Sequence, residues 1–302
     1  MGYFSANEYF KKLFGSKVYK ITLKGGMTCP NRDGTVGTRG CIFCSADGSG
    51  DFAYPFDGNI KKAIEEYSTV IKNKAKTDKY ISYFQDYCNT YDTPQRLEAL
   101  YRSAIADDRV VGLSVATRPD LLPKEVLAVL ERINREKPVF VELGLQTIHK
   151  STAEYIRRGY SLKIYDEAVK NLNSIGVRVI THMIIGLPFE TPEMMYQTAE
   201  YIGKSGASGI KFHLLHILKG TDLEKEYLSG KFKTLELDEY VNILEGCIER
   251  IPENMAIHRL TGDGAKKDLI APLYSADKKR VLNEINRRLK ADGIVQGKLF
   301  NA

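Results

Sequence analysis

The sequence predicts an α/β fold, a partial (β/α)6 TIM-like barrel with short N- and C-terminal extensions. Apolar runs of strand length recur six times, and residues with helical apolar spacing fill the gaps between them. Polar and glycine-rich residues collect just after these runs, where active sites of such barrels form. No Pro/Gly-rich linker breaks the 302 residues. One domain over 1–302 is therefore expected, with the core barrel at about 16–225 and a C-terminal extension at about 226–302.

Ser5–Phe14 reads as a short leading helix. The first strand is Val18–Leu23, and it runs into Gly25-Gly26 and a cysteine-bearing loop. Tyr80–Gln85, Val110–Thr117, Val139–Gln146, Val177–Ile185 and Gly209–Leu218 are the next five strands. Leu121–Ile133, Ile164–Ile175 and Met194–Ile202 carry the helical spacing. A later run, Ala256–Leu260, adds a strand at the edge of the sheet. Side chains two apart on a strand share a face. Glu142, Gly144 and Gln146 therefore point together, with Leu143 and Leu145 opposite. His182, Ile184 and Gly186 share a face of the fifth strand.

The loop after the first strand holds Cys29, Cys41 and Cys44. Eleven residues separate the first two and two separate the last pair. Three thiolates can hold three irons of a 4Fe-4S cluster and leave one iron open to a chelating ligand such as S-adenosylmethionine (SAM). The pair Cys41/Cys44 also suits zinc, with His149, His182 or Cys88 as the fourth donor that a structural zinc site needs. A non-enzymatic metal-binding module is the corresponding reading from another class. Strand ends that converge on this loop, at Thr117-Arg118-Pro119-Asp120, Gly186-Leu187-Pro188 and Lys219-Gly220-Thr221, fit an active site better than a zinc knuckle.

The Cys-x-aromatic-Cys ending, with Phe43 before Cys44, resembles the signature of the radical SAM superfamily. The chain further resembles the YhcC-like family of radical SAM proteins, in which one described activity is that of a queuine lyase. The resemblance rests on Lys20–Leu23, Cys29-Pro30-Asn31-Arg32-Asp33-Gly34, Tyr83-Phe84-Gln85, Gly112-Leu113-Ser114, Thr117-Arg118-Pro119-Asp120, Glu142–Thr147, Gly186-Leu187-Pro188 and Lys219-Gly220-Thr221. It implies a barrel of the radical SAM type, a 4Fe-4S cluster on Cys29, Cys41 and Cys44, and SAM across the top of the barrel. Phe43 would touch adenine, the Tyr83-Phe84-Gln85 strand end would meet the methionyl amino group, and Thr117 would line the same site. A more distant likeness is to the oxygen-independent coproporphyrinogen dehydrogenases, which carry a Gly-x-Gln followed by an arginine. It implies that Gln146 holds SAM through its amide and Arg158 through the methionyl carboxylate, which suits the guanidinium fork. His182 stands where those relatives have an aspartate.

The resemblance also implies a small-molecule substrate, queuine, cleaved to release 7-aminomethyl-7-deazaguanine for queuosine salvage. A one-electron donor such as flavodoxin or ferredoxin would be required. A carboxylate is wanted for the guanine-like edge, so Glu142, Asp51 and Asp86 are candidates. Tyr54, Tyr83 and Tyr87 could stack on the base. His213, His216 and Lys219 lie where a substrate would meet them.

Composition sets the outer bounds. Hydrophobic content of 43% and charged content of 27% are ordinary for a globular protein. The net charge of +6 is too mild to demand a nucleic-acid partner, and no RNA-binding module is evident, so a radical SAM enzyme acting on tRNA is the alternative. The basic tail Lys278-Lys279-Arg280, Arg287-Arg288 and Lys290 reads as a solvated helix face. No apolar run approaches a membrane span and no leader is visible at the N-terminus. The odd count of five cysteines fits a reducing, cytoplasmic setting.

Overall fold

The computed structural model describes residues 2–46, 48, 53–71, 77–262, 264 and 266–301. The chain opens with α1 (Ala6–Phe14), capped by Ser5 and Glu8 in a reciprocal box and stopped by Gly15 at φ +72°. Then follow β1 (Tyr19–Lys24), β2 (Tyr54–Pro55), α2 (Ile60–Ile71), β3 (Tyr80–Phe84) and α3 (Pro94–Ala104). The middle of the chain contributes β4 (Val110–Thr117), α4 (Lys124–Glu136), β5 (Val139–Gln146), α5 (Lys150–Tyr155), α6 (Leu162–Ser174), β6 (Arg178–Ile185), α7 (Pro192–Lys204) and β7 (Gly209–Leu214). The last part holds β8 (Ile217–Leu218), α8 (Asp222–Leu228), α9 (Leu237–Glu249), β9 (Ala256–Arg259), β10 (Leu269–Ala271) and α10 (Lys278–Ala291).

Eight strands form one parallel sheet in the order β2-β1-β3-β4-β5-β6-β7-β9. The expected α/β class and partial barrel are therefore present, with two short edge strands added to the six. Ala256–Leu260 supplies β9, as its apolar run suggested. The long run Gly209–Leu218 splits, because β8 leaves the sheet and pairs antiparallel with β10. Leu121–Ile133 also divides: Pro123 keeps its first residues in a 3-10 turn and becomes the N-cap of α4.

Side chains on the outer face of the sheet, among them Leu143, Leu145, Val179 and Phe212, pack beneath the helices in the main core. Contacts across the inner face link strands that are not neighbours. Lys20 of β1 reaches Glu142 of β5, and Lys211 of β7 reaches Tyr83 of β3. Such contacts require the sheet to curl into an open barrel. Its interior is layered, as in closed barrels. At the bottom, Phe10 of α1 plugs the opening against Ile81, Phe140 and Ile180. Charged side chains form the next layer, and the cysteine loop lies at the carboxyl ends of the strands.

Both chain ends lie beside β9. The backbone N–H of Ile257 donates to Phe4, and the Ser5 backbone bridges to Ile257. The Gln296 side chain accepts from the Phe4 N–H at 2.8 Å and donates to the carbonyls of Pro252 (2.6 Å) and Met255 (2.8 Å). No helix among the described residues is long and apolar enough to cross a membrane.

Candidate functional site

The cysteine loop runs from the end of β1 to β2 and is held from several sides. Asn31 donates its amide to the Arg157 carbonyl at 2.8 Å and lies 3.5 Å from the Cys41 sulfur. The Arg32 guanidinium donates to the carbonyls of Cys44 and Ser45. Gly40 has φ +72°, and a Cβ there would stand 3.0 Å from Arg32. That position therefore needs glycine on two counts. The Ile42 N–H bonds to Ile156, and the Leu223 N–H bonds back to Ile42, so α5 and α8 fix the loop tip.

Cys29, Cys41 and Cys44 are all half-buried and line one cavity of about 240 Å³. Among the described residues, no three His, Cys, Asp or Glu side chains close on a point where one metal ion could be held. A zinc ion needs its donors within about 2.0–2.3 Å of itself. Three thiols that line one cavity without closing on a single point suit a polynuclear cluster, which takes one thiolate at each of several irons. Cys88 is buried against Cys29, and this contact is the largest influence lowering the Cys29 thiol to about 6. Burial, with the neighbouring Cys44, pushes Cys41 up to about 12. Cys247 is buried in α9, within the main core.

The wall facing the thiols comes from strand ends. Tyr83, Gln85, Thr117, Glu142, Gly144, Gln146, Arg158, Tyr160, His182, His213 and Arg259 line the same cavity. Phe43 lines it too, and together with Gln146, His182 and His213 it borders an adjoining lobe of about 170 Å³ that reaches His216. The structure therefore brings most of the expected cofactor residues to one place. Phe84 does not join them. Strand alternation turns its ring to the outer face, where it is fully buried against Phe56 and Tyr101. Tyr54 sits on the edge strand β2, paired with Leu23, and Asp51 lies outside the described residues. Asp86 is buried and accepts the Gly25 N–H at 3.2 Å, a loop-holding role. A further cleft, of about 900 Å³, lies between residues 31–40 and 148–162, and its described lining holds no cysteine.

Gln146 ends β5 at φ +65°, where the β5–β6 register shifts. A non-glycine residue in this left-handed region is strained, and such strain gathers at functional sites. Arg158 holds the strand end in place. Its guanidinium donates to the carbonyls of Leu145, Thr147 and Tyr160, and most of its fork is thereby engaged. The Tyr160 ring lies between the guanidinium groups of Arg118 (5.0 Å) and Arg158 (4.8 Å), a double cation–π contact.

Beneath this mouth lies a charged layer centred on Glu142, which is 1% exposed. Oε1 accepts from Lys20 Nζ at 2.5 Å and Ser114 Oγ at 2.8 Å. Oε2 accepts from Tyr83 OH at 2.8 Å, His182 Nε2 at 2.7 Å and Lys211 Nζ. Five protein donors leave no lone pair for the N–H edge of a base, so the expected substrate contact does not fit this geometry. Burial opposes ionisation of Glu142, yet Lys20 and Lys211 hold its carboxyl well below the usual range. Burial and the Lys211 charge lower His182 to about 4. Burial lowers Lys211 to about 7 although Glu142 opposes the shift. The Tyr83 ring lies 4.6 Å from Lys20 Nζ and 4.7 Å from Lys211 Nζ. The sequence singles out Lys20 only as part of a matching segment, and Lys211 and Arg259 not at all. A lysine within an apolar strand was the available signal, since a buried lysine needs a partner.

Comparison with known proteins fits this arrangement. A model of the Radical SAM superfamily matches residues 33–202, and one of the Radical_SAM C-terminal domain matches residues 207–291. The chain is 44% identical over 298 residues to the uncharacterized protein YtqA of Bacillus subtilis, covering 99% of this chain and 92% of that one. It is 36% identical over 282 residues to protein YhcC of Escherichia coli K12, covering 93% and 90%. In fold it is similar to the Elp3 of the archaeon Methanocaldococcus infernus, with a TM-score of 0.70 at 16% identity, over 92% of this chain and 64% of that one.

Proposed function

Because the chain belongs to the radical SAM superfamily, whose members use a 4Fe-4S cluster and SAM, we propose that Cys29, Cys41 and Cys44 hold the cluster and that the facing strand ends hold SAM. The observation that carries this reading is that one cavity is lined both by the three thiols and by Tyr83, Gln85, Thr117, Gln146 and His182. When bound, the pair would supply one-electron chemistry that ends in removal of a hydrogen atom from the substrate. The chain's own residues orient and enclose. Asn31 and Arg32 fix the backbone that presents the thiols. Arg158 sets the strained end of β5 and adds its charge beside the cavity. The Phe43 ring stands between the two lobes, where it would separate cofactor from substrate.

The substrate enters, in this reading, through the lobe bordered by His213 and His216. Fragmentation of queuine is the finer version. Family resemblance supports it, but a deazaguanine edge would have to be read by Gln85, Gln146 or backbone groups, because Glu142 is engaged. Anaerobic reconstitution with iron and sulfide analysis, followed by reduction with SAM, tests the general reading. Iron and sulfide at four each per chain and formation of 5′-deoxyadenosine are expected, following the cluster stoichiometry. Stoichiometric zinc without iron would overturn it. Adding queuine should give an aminomethyl-deazaguanine if the finer version holds. Turnover of queuosine-containing tRNA, with free queuine untouched, would reject a small-molecule substrate.

A further inference from the structure

The cleft between residues 31–40 and 148–162 comes within one layer of residues of a thiol. Asn31, Gly40 and Arg157 line it, and the same three adjoin Cys41. The Asn31 amide lies 3.5 Å from the Cys41 sulfur, the thiol donates to the Arg157 carbonyl at 3.7 Å, and Gly40 precedes Cys41 in the chain. Gly40 also lines the thiol cavity, so the two spaces share a thin wall.

The cleft is also charged. Arg39, Lys150, Arg157 and Arg158 line it, and Glu154 is the one acid among its described lining residues. A second acid, Asp222, lies beside it and meets Arg157 at 2.8 Å and Arg39 at 3.8 Å. Lys150 stands 3.8 Å from Glu154. Four cations are thus set against two acids, with these pairs already counted. Arg39 on the loop and Lys150 on α5 have side chains 72% and 90% exposed, so their charge reaches solvent. Val36, Ile148, Ala153 and Leu162 add apolar surface. Tyr160, the one aromatic among the described lining residues, lies between the guanidinium groups of Arg118 and Arg158 and offers no face on which a nucleobase could stack.

We infer that this cleft docks an acidic protein that passes one electron to the cluster. In the proposed arrangement SAM and substrate fill the cavity that the thiols line, so the electron needs another approach, and the wall at Cys41 is thin. Opposite charge steers such encounters, and apolar surface beside exposed charge suits a protein partner. One electron leaves the reduced carrier and enters the cluster, with no bond or proton transferred. This inference rests on the cluster reading for Cys41 and adds the place where the reductant binds.

The test uses the reconstituted protein with S-adenosylhomocysteine in place of SAM, so that the reduced cluster persists. Two reductants are compared: excess reduced plant-type ferredoxin, an acidic protein carrier, and dithionite, which needs no docking. Freeze-quench EPR separates the two cluster types and times the arrival of the electron. The double variant Arg39→Glu with Lys150→Glu should be reduced by ferredoxin about tenfold more slowly than the parent at low salt. Its reduction by dithionite should be unchanged, which also shows that the variant folds. Salt at about 0.5 M should remove most of the difference between parent and variant. The same two charges reversed on α10, Lys279→Glu with Lys290→Glu, should change the ferredoxin rate by less than about twofold. A parent-like ferredoxin rate in the first double variant would overturn the inference. Equal slowing by the α10 reversal would do so too, because net charge and not a docking site would then be responsible. Slowing by added tRNA in the parent but not in the first variant would mark a nucleic acid as the occupant instead. Failure of the cluster reading looks different, since the reconstituted protein would then hold no iron for dithionite to reduce.

Discussion

The cysteine loop and the Glu142 layer face one another across the same cavity and are assembled in opposite ways. Residues 29–44 bring three thiols together within one stretch of chain, held by local bonds from Asn31 and Arg32. The layer draws Lys20, Tyr83, Ser114, Glu142, His182, Lys211 and Arg259 from seven strands. The loop is only half-buried and leaves its sulfurs toward the cavity. The layer spends its donors internally and leaves Glu142 sealed. The proposed cluster loop and the floor under it thus share one barrel but differ in what a mutation would cost.

The largest difference should come from removing a thiol. Cys29→Ala, Cys41→Ala and Cys44→Ala should each abolish cluster absorbance and SAM cleavage while the thermal transition of the apoprotein stays close to the parent. Cys88→Ala and Cys247→Ala should retain the cluster. Retention of iron and activity in a Cys41→Ala variant would break the contrast from the loop side.

Glu142→Gln should act in the reverse sense, through stability. It strands Lys20 and Lys211 in a buried site, at a cost of about 3–5 kcal/mol in denaturant unfolding. Adding Lys211→Met to that variant should restore part of the loss, because a buried charge is then removed with its partner. An unchanged unfolding midpoint in Glu142→Gln would mean that the layer is not the structural floor described.

Acid should also act on the layer. Unfolded His182 takes up its proton near pH 6.5, the folded ring only near pH 4. Between those values the unfolded chain binds more protons, so stability falls as pH drops through that window, by up to about 3 kcal/mol. The Glu142 carboxyl, held low, works in the same direction below about pH 4.5. Lys211, lowered from 10.5 to about 7, makes stability rise with pH between those two values. His182→Asn should flatten the loss between pH 6.5 and 4 in a series of melting temperatures. If the parent and this variant lose stability in parallel, His182 is not the titrating group.

The smallest effect belongs where the two regions meet. Gln146→Gly should relieve the positive φ and stabilise the apoprotein by about 0.5–1 kcal/mol. The same change should weaken SAM binding, measured by equilibrium dialysis. Tighter folding with unchanged SAM affinity would separate the strain from the proposed cofactor contact.

How much of this could be read from the sequence follows the same division. The strands and the cysteine loop are local patterns, so alternation and spacing revealed them. Alternation also placed Glu142, Gly144 and Gln146 on one face. It also argues against Phe84 as a site residue, since Phe84 and Tyr83 are adjacent on one strand and face opposite ways. The partners of Glu142 were hidden because they come from β1, β3, β4, β6 and β7, and only the curl of the sheet brings them together. Lys20 and Lys211 each stand out as a lysine in an apolar strand, but the strand itself does not show which partner they share. The split of Gly209–Leu218 was equally hidden, because the pairing that draws β8 away is with β10, some fifty residues further on.

Gln296 ties the N-terminal segment to the turn before β9, through bonds to Phe4, Pro252 and Met255. On a ribosome this joint is among the last that can form. The first residues of the chain leave the exit tunnel long before residue 296 exists, and N-terminal parts of a chain fold first where they can. Helix α1 must therefore wait for strands that are made later before Phe10 can plug the barrel. Until then its aromatic face has no cover, and the sheet edge at β9 is unsealed. Nascent chains stalled before residue 296 should engage chaperones more than those released after it, because the tie from Gln296 to Phe4 is then missing.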